Sequence, residues 1–184
     1  GVRNLAISEA ASHLGLYYAP DPSSQIACSI GGNVNENSGG VHCLKYGLTL
    51  HNVLRVRGVL MNGEIVEFGS LAPDSPGLDL LAIMMGSEGM LAVVTEVTVK
   101  LVAKPKLARV IMASFDDIEK GGNAVAAIIA AGIIPAGLEM MDKATTRAVE
   151  EFVHAGYDLD AEAILLCESD GTPEEVAEEI ERMR

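Results

Sequence analysis

Residues 28–47, CSIGGNVNENSGGVHCLKYG, constrain this chain more than any other stretch. Gly31, Gly32, Gly39 and Gly40 bracket Asn33, Asn35 and Asn37. Glycine lets a backbone approach another group closely and tolerates positive φ. Asparagine offers both donors and acceptors. The composition reads as a multi-turn loop that can wrap a large polar ligand with amides and needs no net positive charge. The spacing is neither GxxxxGK[ST] nor GxGxxG, so the two common phosphate-loop motifs do not apply.

The rest of the chain bounds its class. Its 184 residues suffice for one or two domains with a core, and a hydrophobic content of 49% marks it as globular. No apolar run approaches the roughly 20 residues needed to span a bilayer, and no signal peptide opens the chain. Thirteen Lys and Arg against 26 Asp and Glu give a net charge of −13, with no tryptophan. Such a chain repels nucleic acid. Three cysteines, Cys28, Cys43 and Cys167, show no CxxC spacing and read as buried reduced thiols. The histidines His13, His42, His51 and His154 have no metal-site spacing, so no metal ligand is expected. Ser24 or Ser29 with His42 and Asp21 lacks the GxSxG elbow of a serine hydrolase.

The periodicity predicts α+β structure. A helix over 3–14 ends at Gly15. A strand over 51–61 meets a partner over 64–68 through a two-residue Asn62-Gly63 turn. Arg55, Arg57 and Glu64 point outward there, while Val56 and Ile65 join the core. Asp74-Ser75-Pro76 starts a helix whose LDLLAIMM run, apolar nearly all round, is expected to be buried. The turn Gly86-Ser87-Glu88-Gly89 leads into a strand over 91–101, with Val93, Val97, Val99 and Leu101 on one face. Lys104-Pro105-Lys106 reads as a domain boundary, followed by strand 108–114, helix 117–131, strand 137–141, helix 143–155, strand 162–168 and a helix from Pro173. Asp116 with Glu119, and Thr172 with Glu175, have capping-box spacing.

The stretch PDPSSQIACSIGGNVNENSGGVHCLKYGLTLHN, followed by GSEGMLAVVTEVTVKL, resembles the flavin-binding region of the vanillyl-alcohol-oxidase-type flavoproteins. Within them it is most similar to the FAD-linked subunits of glycolate oxidases, relatives of D-lactate and D-2-hydroxyglutarate dehydrogenases. GLEMMD at 137–142 and HAGYDLDAEAILLCE at 154–168 fit the same group. The resemblance implies that residues 1–103 are the second half of a PCMH/VAO-type FAD-binding domain, with antiparallel strands flanked by helices. Residues 104–184 are then the start of a ferredoxin-like α+β cap that binds substrate.

The cofactor it implies is FAD. One wall would be Pro22, Ser24, Ser29, Ile30, Gly31, Gly32, Asn33, Asn37, Gly40, Tyr46 and Gly47, with backbone amides of 30–33 cradling a pyrophosphate. The other would be Glu88, Gly89, Leu91 and Val94, near the ribose and adenine. Asn35 and Ser38 stand where related chains usually carry small alanines. The implied activity is oxidation of a small 2-hydroxy acid, glycolate or D-lactate, by hydride transfer to the flavin. Lys45, Arg55, Arg57 and Arg109 are the candidate cations for an anionic substrate, and they form no evident clamp. No catalytic residue is assigned. The chain starts and stops inside predicted helices, so it is expected to be an internal fragment, inactive alone and weak in FAD binding. Implied partners are an FAD-binding-like subunit and an iron–sulfur subunit, in the cytoplasm or at the inner membrane face. A non-catalytic binding module, and a flavoenzyme of the same architecture acting on another substrate such as a sugar nucleotide, are the alternatives.

Overall fold

A computed structural model describes residues 1–72 and 77–184. The expected helix start at Asp74-Ser75-Pro76 lies outside the described residues. The chain divides into two compact units, Gly1–Lys104 and Pro105–Arg184.

In the first unit α1 (Asn4–Ala11) runs through a 3-10 turn to Gly15, whose φ of 68° stops it. A short strand β1 (Leu16–Tyr17) follows, then α2 (Ile30–Glu36), α3 (Cys43–Tyr46) and α4 (Thr49–Asn52). Strands β2 (Val53–Val59) and β3 (Ile65–Gly69), helix α5 (Leu80–Met84), β4 (Val93–Val99) and β5 (Val102–Ala103) complete it. The main sheet has the order β3-β2-β4, antiparallel throughout, and β1 pairs with β5. Val34 of α2 and Leu81 and Met85 of the α5 segment cover one face, packing on Val53 and Val56.

Four local expectations change here. The glycine–asparagine stretch begins as a helix, not a loop. Ser29 Oγ accepts from the Gly32 amide at 3.2 Å, and Ile30 and Val34, one turn apart, are both buried. That cap and that burial outweigh the roughly 1 kcal/mol each helical glycine costs relative to alanine. Asn37 ends the helix at φ 49°. Ser29→Ala removes the cap and should lower the stability of this unit by about 1 kcal/mol, read by thermal or denaturant unfolding.

The β2–β3 turn holds three residues, because Leu60 pairs with Glu64 and only Gly63 of Met61, Asn62 and Gly63 has positive φ. A two-residue I′ turn needs positive φ at both centres. In the resulting register Ile65 opposes Val59 on the Arg57 face and is 58% exposed, so it lies outside the core. Phe68 opposes Val56 instead. On β4 a bulge leaves Thr95 unpaired between Glu96 opposite Arg57 and Val94 opposite Gly58. The extra residue reverses the alternation. Val93 therefore lies on the exposed face, opposite to Val97. Helix α5 is only half buried: Leu81 and Met84 face inward, while Leu80 and Ile83 stay exposed.

The second unit is β6 (Leu107–Phe115), α6 (Ile118–Ala130), β7 (Gly137–Asp142), α7 (Lys143–Val153), β8 (Ala163–Gly171) and α8 (Pro173–Arg182). β8 lies between β6 and β7 and is antiparallel to both, so β6-α6-β7 is a split βαβ unit of ferredoxin-like type. Thr172 and Glu175 form the capping box that starts α8. Asp116 does not cap α6. Asp117 does, accepting from Glu119, while Asp116 pairs with Lys120 at 2.7 Å, which holds its carboxyl below the usual range. Cys167 is buried, which pushes its thiol up, whereas Cys28 and Cys43 are only half-buried.

The end of α7 carries a pH-sensitive clamp. His154 turns into the left-handed region, and the Glu150 carboxylate accepts from the amides of Gly156 (2.9 Å) and Tyr157 (3.1 Å). These bonds lower the Glu150 pKa from its ordinary 4.5. A depressed carboxylate pKa adds stability above the unfolded value and loses it as pH falls through the folded one. Glu150→Gln should therefore lower the melting temperature at neutral pH, and its difference from the parent should shrink as pH drops below 4.5.

Candidate functional site

An opening in the first unit runs along the outer edge of β4. It is a cleft of ≈ 770 Å³ bounded by Ser29, Ile30, Gly31, Gly32 and Asn35 on one side and by Gly89 and Ala92 to Val97 on the other. That volume is in the range of cofactor sites, roughly 300–1,000 Å³. β4 forms a wall because it is an edge strand of its sheet. α2 forms the opposing wall because Val34 and Ile30 bury its apolar side. The start of α2 is pinned by the Arg3–Ser29 bridge and by the Ile30 amide, which donates to the Val2 carbonyl at 2.9 Å.

The 86–89 turn is tied to the far end of α2. Gly86 and Glu88 amides donate to the carbonyls of Val34 (2.9 Å) and Asn35 (2.8 Å). Glu88, at φ 53°, is a non-glycine residue in the left-handed region. That conformation costs on the order of 1 kcal/mol and is held by these bonds. Glu88 itself is exposed and points no carboxylate into the cleft lining.

The amides of 30–33 differ from a ready cradle. Ile30 donates to Val2, Gly32 to Ser29 Oγ and Asn33 to the Ser29 carbonyl. Gly31 alone of the four donates to no acceptor among the described residues. Among the described residues no lysine or arginine side chain lines the cleft. The charged side chain in the lining, Glu96, pairs with Arg57 at 2.7 Å. The lining is instead apolar, with Ile30, Ala92, Val94 and Val97, and carries the Asn35 amide.

Of the residues singled out in the sequence, Ser29, Ile30, Gly31, Gly32, Gly89 and Val94 meet at this cleft. Asn33 is buried in α2 behind it. The others lie elsewhere. Pro22 and Ser24 give their carbonyls to a turn, accepting from Gln25, Ala27 and Cys28. Asn37 Oδ1 accepts from the Leu50 amide at 3.0 Å. Leu91 is 44% exposed outside the lining.

Gly40 and Tyr46 belong to a second group. Asp21 accepts from His42 Nδ1 at 2.5 Å and from the His42 amide at 3.3 Å. Gly40 lies against Asp21 so closely that a Cβ there would be 2.3 Å from Oδ1. The Tyr46 ring meets Tyr17 edge-on at 6.2 Å, and Gly47, at φ 81°, packs on His51. Sequence reading missed Asn35, Ala92 and Thr95 as wall residues, and the Asp21–His42 bond, which only the fold brings together. Arg55 and Arg57 are engaged with Glu67 and Glu96, so they are poor candidates for an anion clamp. Among the described residues no group of three or more His, Cys, Asp or Glu could hold a metal, and no helix is long and apolar enough to cross a membrane.

An antiparallel sheet with a glycine-lined cleft on its edge, followed by a split βαβ unit, is the architecture of FAD-binding domains joined to an α+β cap. Residues 1–69 match the family described as FAD binding domain, and residues 104–184 match FAD linked oxidases, C-terminal domain. Together these matches span most of the chain and make it similar to FAD-linked oxidases, with FAD as the cofactor. It is 66% identical over 183 residues to the glycolate oxidase subunit GlcD of Escherichia coli K12, covering 100% of this chain and 37% of that protein. The GlcD of Bacillus subtilis is 44% identical over 184 residues, with coverages of 100% and 39%. A D-lactate dehydrogenase of Anaerostipes hadrus is 35% identical over 181 residues, with coverages of 95% and 38%. The chain thus spans under two-fifths of the length of these relatives. The solved structure of an alkyldihydroxyacetonephosphate synthase shares the fold at a TM-score of 0.82 and 20% identity, over 98% of this chain and 35% of that one.

FAD fits this cleft in part. Apolar side chains, Gly31 and an unpaired buried Asn35 Oδ1 suit rings and hydroxyl-bearing segments of the cofactor. Ser29 to Gly32, Asn35, Gly89 and Val94 would hold them.

Proposed function

We propose that the complete protein containing this sequence is an FAD-dependent oxidoreductase that oxidises a small 2-hydroxy acid, glycolate or D-lactate. The identity of 66% along the whole chain to a glycolate oxidase subunit carries this reading, and the D-lactate dehydrogenase relatives agree with it. Bound FAD supplies the acceptor for the hydride that leaves the α-carbon. This chain's residues bind and orient that group. Residues 1–103 act as the second half of the FAD-binding domain and 104–184 as the start of the substrate cap.

In this reading the cleft residues Ser29, Ile30, Gly31, Gly32, Gly89 and Val94 touch the cofactor directly. Asn33 backs this wall from within α2, while Pro22, Ser24, Asn37, Gly40, Tyr46, Gly47, Glu88 and Leu91 lie outside the cleft lining. The complete protein works with companion subunits, one FAD-binding-like and one iron–sulfur, in the cytoplasm. The GlcD relatives are themselves described as subunits, which supports an assembly. The 184 residues alone should turn over no 2-hydroxy acid, since among the described residues no cationic side chain lines the cleft.

Oxidation assayed with an artificial dye acceptor tests the substrate class. Glycolate and D-lactate should reduce the dye, and L-lactate should do so at least about ten-fold more slowly, a difference of roughly 1.4 kcal/mol in activation free energy. Turnover of L-lactate at the rate of D-lactate would contradict the assignment, as would a complete protein inert to both glycolate and D-lactate.

A further inference from the structure

We propose that Asn35 is a cofactor-binding residue and that its side-chain oxygen accepts a hydrogen bond from a hydroxyl or amino group of FAD, not from a phosphate. The inference rests on the reading that the β4-edge cleft is part of the FAD site.

Asn35 lines that cleft beside Gly89, whose missing Cβ leaves the Asn35 amide nitrogen 3.4 Å from where it would stand. Its Oδ1 is buried and makes no hydrogen bond among the described residues. A buried acceptor without a donor is costly, and a native structure rarely keeps one without a reason. The backbone around it is already committed: the Asn35 carbonyl accepts from Glu88, and the Gly86 amide goes to Val34. The Gly86 and Glu88 amides therefore do not supply the missing donor, and a ligand in the cleft can. An oxygen cannot receive anything from a phosphate, which carries only acceptors at neutral pH. FAD offers donors at its ribose and ribityl hydroxyls, its adenine amine and its isoalloxazine N–H. The rest of the lining agrees, since among the described residues it holds no lysine or arginine side chain to meet phosphate charge.

The test uses the apo form of the complete protein, with FAD binding followed by flavin fluorescence at fixed salt. Asn35→Ala should weaken FAD binding about ten-fold, the loss of one hydrogen bond. Asn35→Asp presents an oxygen whichever way it turns, as the acidic residue on a ribose does in other dinucleotide sites. It should bind FAD within about three-fold of the parent. Unfolding of the apo proteins provides the second reading. Asn35→Ala removes an unpaired polar group from a helix and should leave the apo protein as stable as the parent or more so.

A residue that serves the fold alone would lose stability and binding together. Asn35→Ala binding FAD as well as the parent overturns the proposal, and so does Asn35→Asp binding more weakly than Asn35→Ala, which would put a phosphate there. A parent protein that binds no FAD overturns the cofactor reading of the cleft as well, and that result is distinct from both.

Discussion

Gly31→Leu leaves the first unit folded and reduces FAD affinity at least about 100-fold, a loss of roughly 2.7 kcal/mol. Gly31 sits in the first turn of α2, where leucine is a better helix former than glycine by up to about 1 kcal/mol. A Cβ there meets only Val94, at 3.9 Å, which is ordinary contact. The first carbon is therefore free of strain, and Gly31→Ala should be at least as stable as the parent. The remaining three carbons of leucine extend into the cleft between α2 and β4, which we propose as part of the cofactor site. Binding by fluorescence, alongside thermal unfolding of the apo protein, separates the two effects. A Gly31→Leu protein that holds FAD as the parent does would remove the cleft from the cofactor site.

Gly69→Ala is the largest expected loss of stability, on the order of 3 kcal/mol or more. Two costs add. Gly69 has φ 82°, a region that resists any Cβ, and the new carbon would stand 2.3 Å from the Leu54 carbonyl oxygen and 2.9 Å from Leu81. The first obstacle is backbone of the neighbouring strand, so no rotamer change relieves it. Gly63 provides the control. Its φ is 85°, yet nothing lies within 4 Å of its Cβ position, so Gly63→Ala pays strain alone, about 1 kcal/mol. Denaturant unfolding of the two variants should differ by the clash. Equal losses would mean that the Gly69–Leu54 approach is looser than described.

The second unit was the more legible in sequence, and the reason is local. Its helices carry their own caps, and Thr172-Pro173 with Glu175 states the start of α8 within four residues. The first unit hides decisions that only tertiary contacts make. Two adjacent glycines at 31–32 speak for a loop, but burial of Ile30 and Val34 and the Ser29 cap turn the stretch into a helix. The face of Ile65 depends on a loop of three residues where two were expected, and the face of Val93 on one unpaired residue, Thr95. In LDLLAIMM the one polar residue, Asp79, is the cap and α5 itself is wholly apolar, so nothing marked its outer side and its half exposure was invisible.

The site divides in the same way. Glycine pattern and family resemblance pointed to Ser29, Gly31, Gly32, Gly89 and Val94, which the fold brings to one cleft. Asn35 was visible only as a departure from alanine, and its role depends on an atom left without a partner. Gly40 was read as a ligand contact. In the fold its lack of a side chain is already explained by Asp21, which holds His42.

The most direct test of the account is the visible absorption spectrum of the complete protein, purified without denaturant and kept anaerobic, before and after glycolate or D-lactate is added. A flavin spectrum that bleaches on substrate addition is the predicted result. A protein that stays colourless after reconstitution with FAD would contradict it, and a flavin spectrum unchanged by either acid would contradict the substrate assignment.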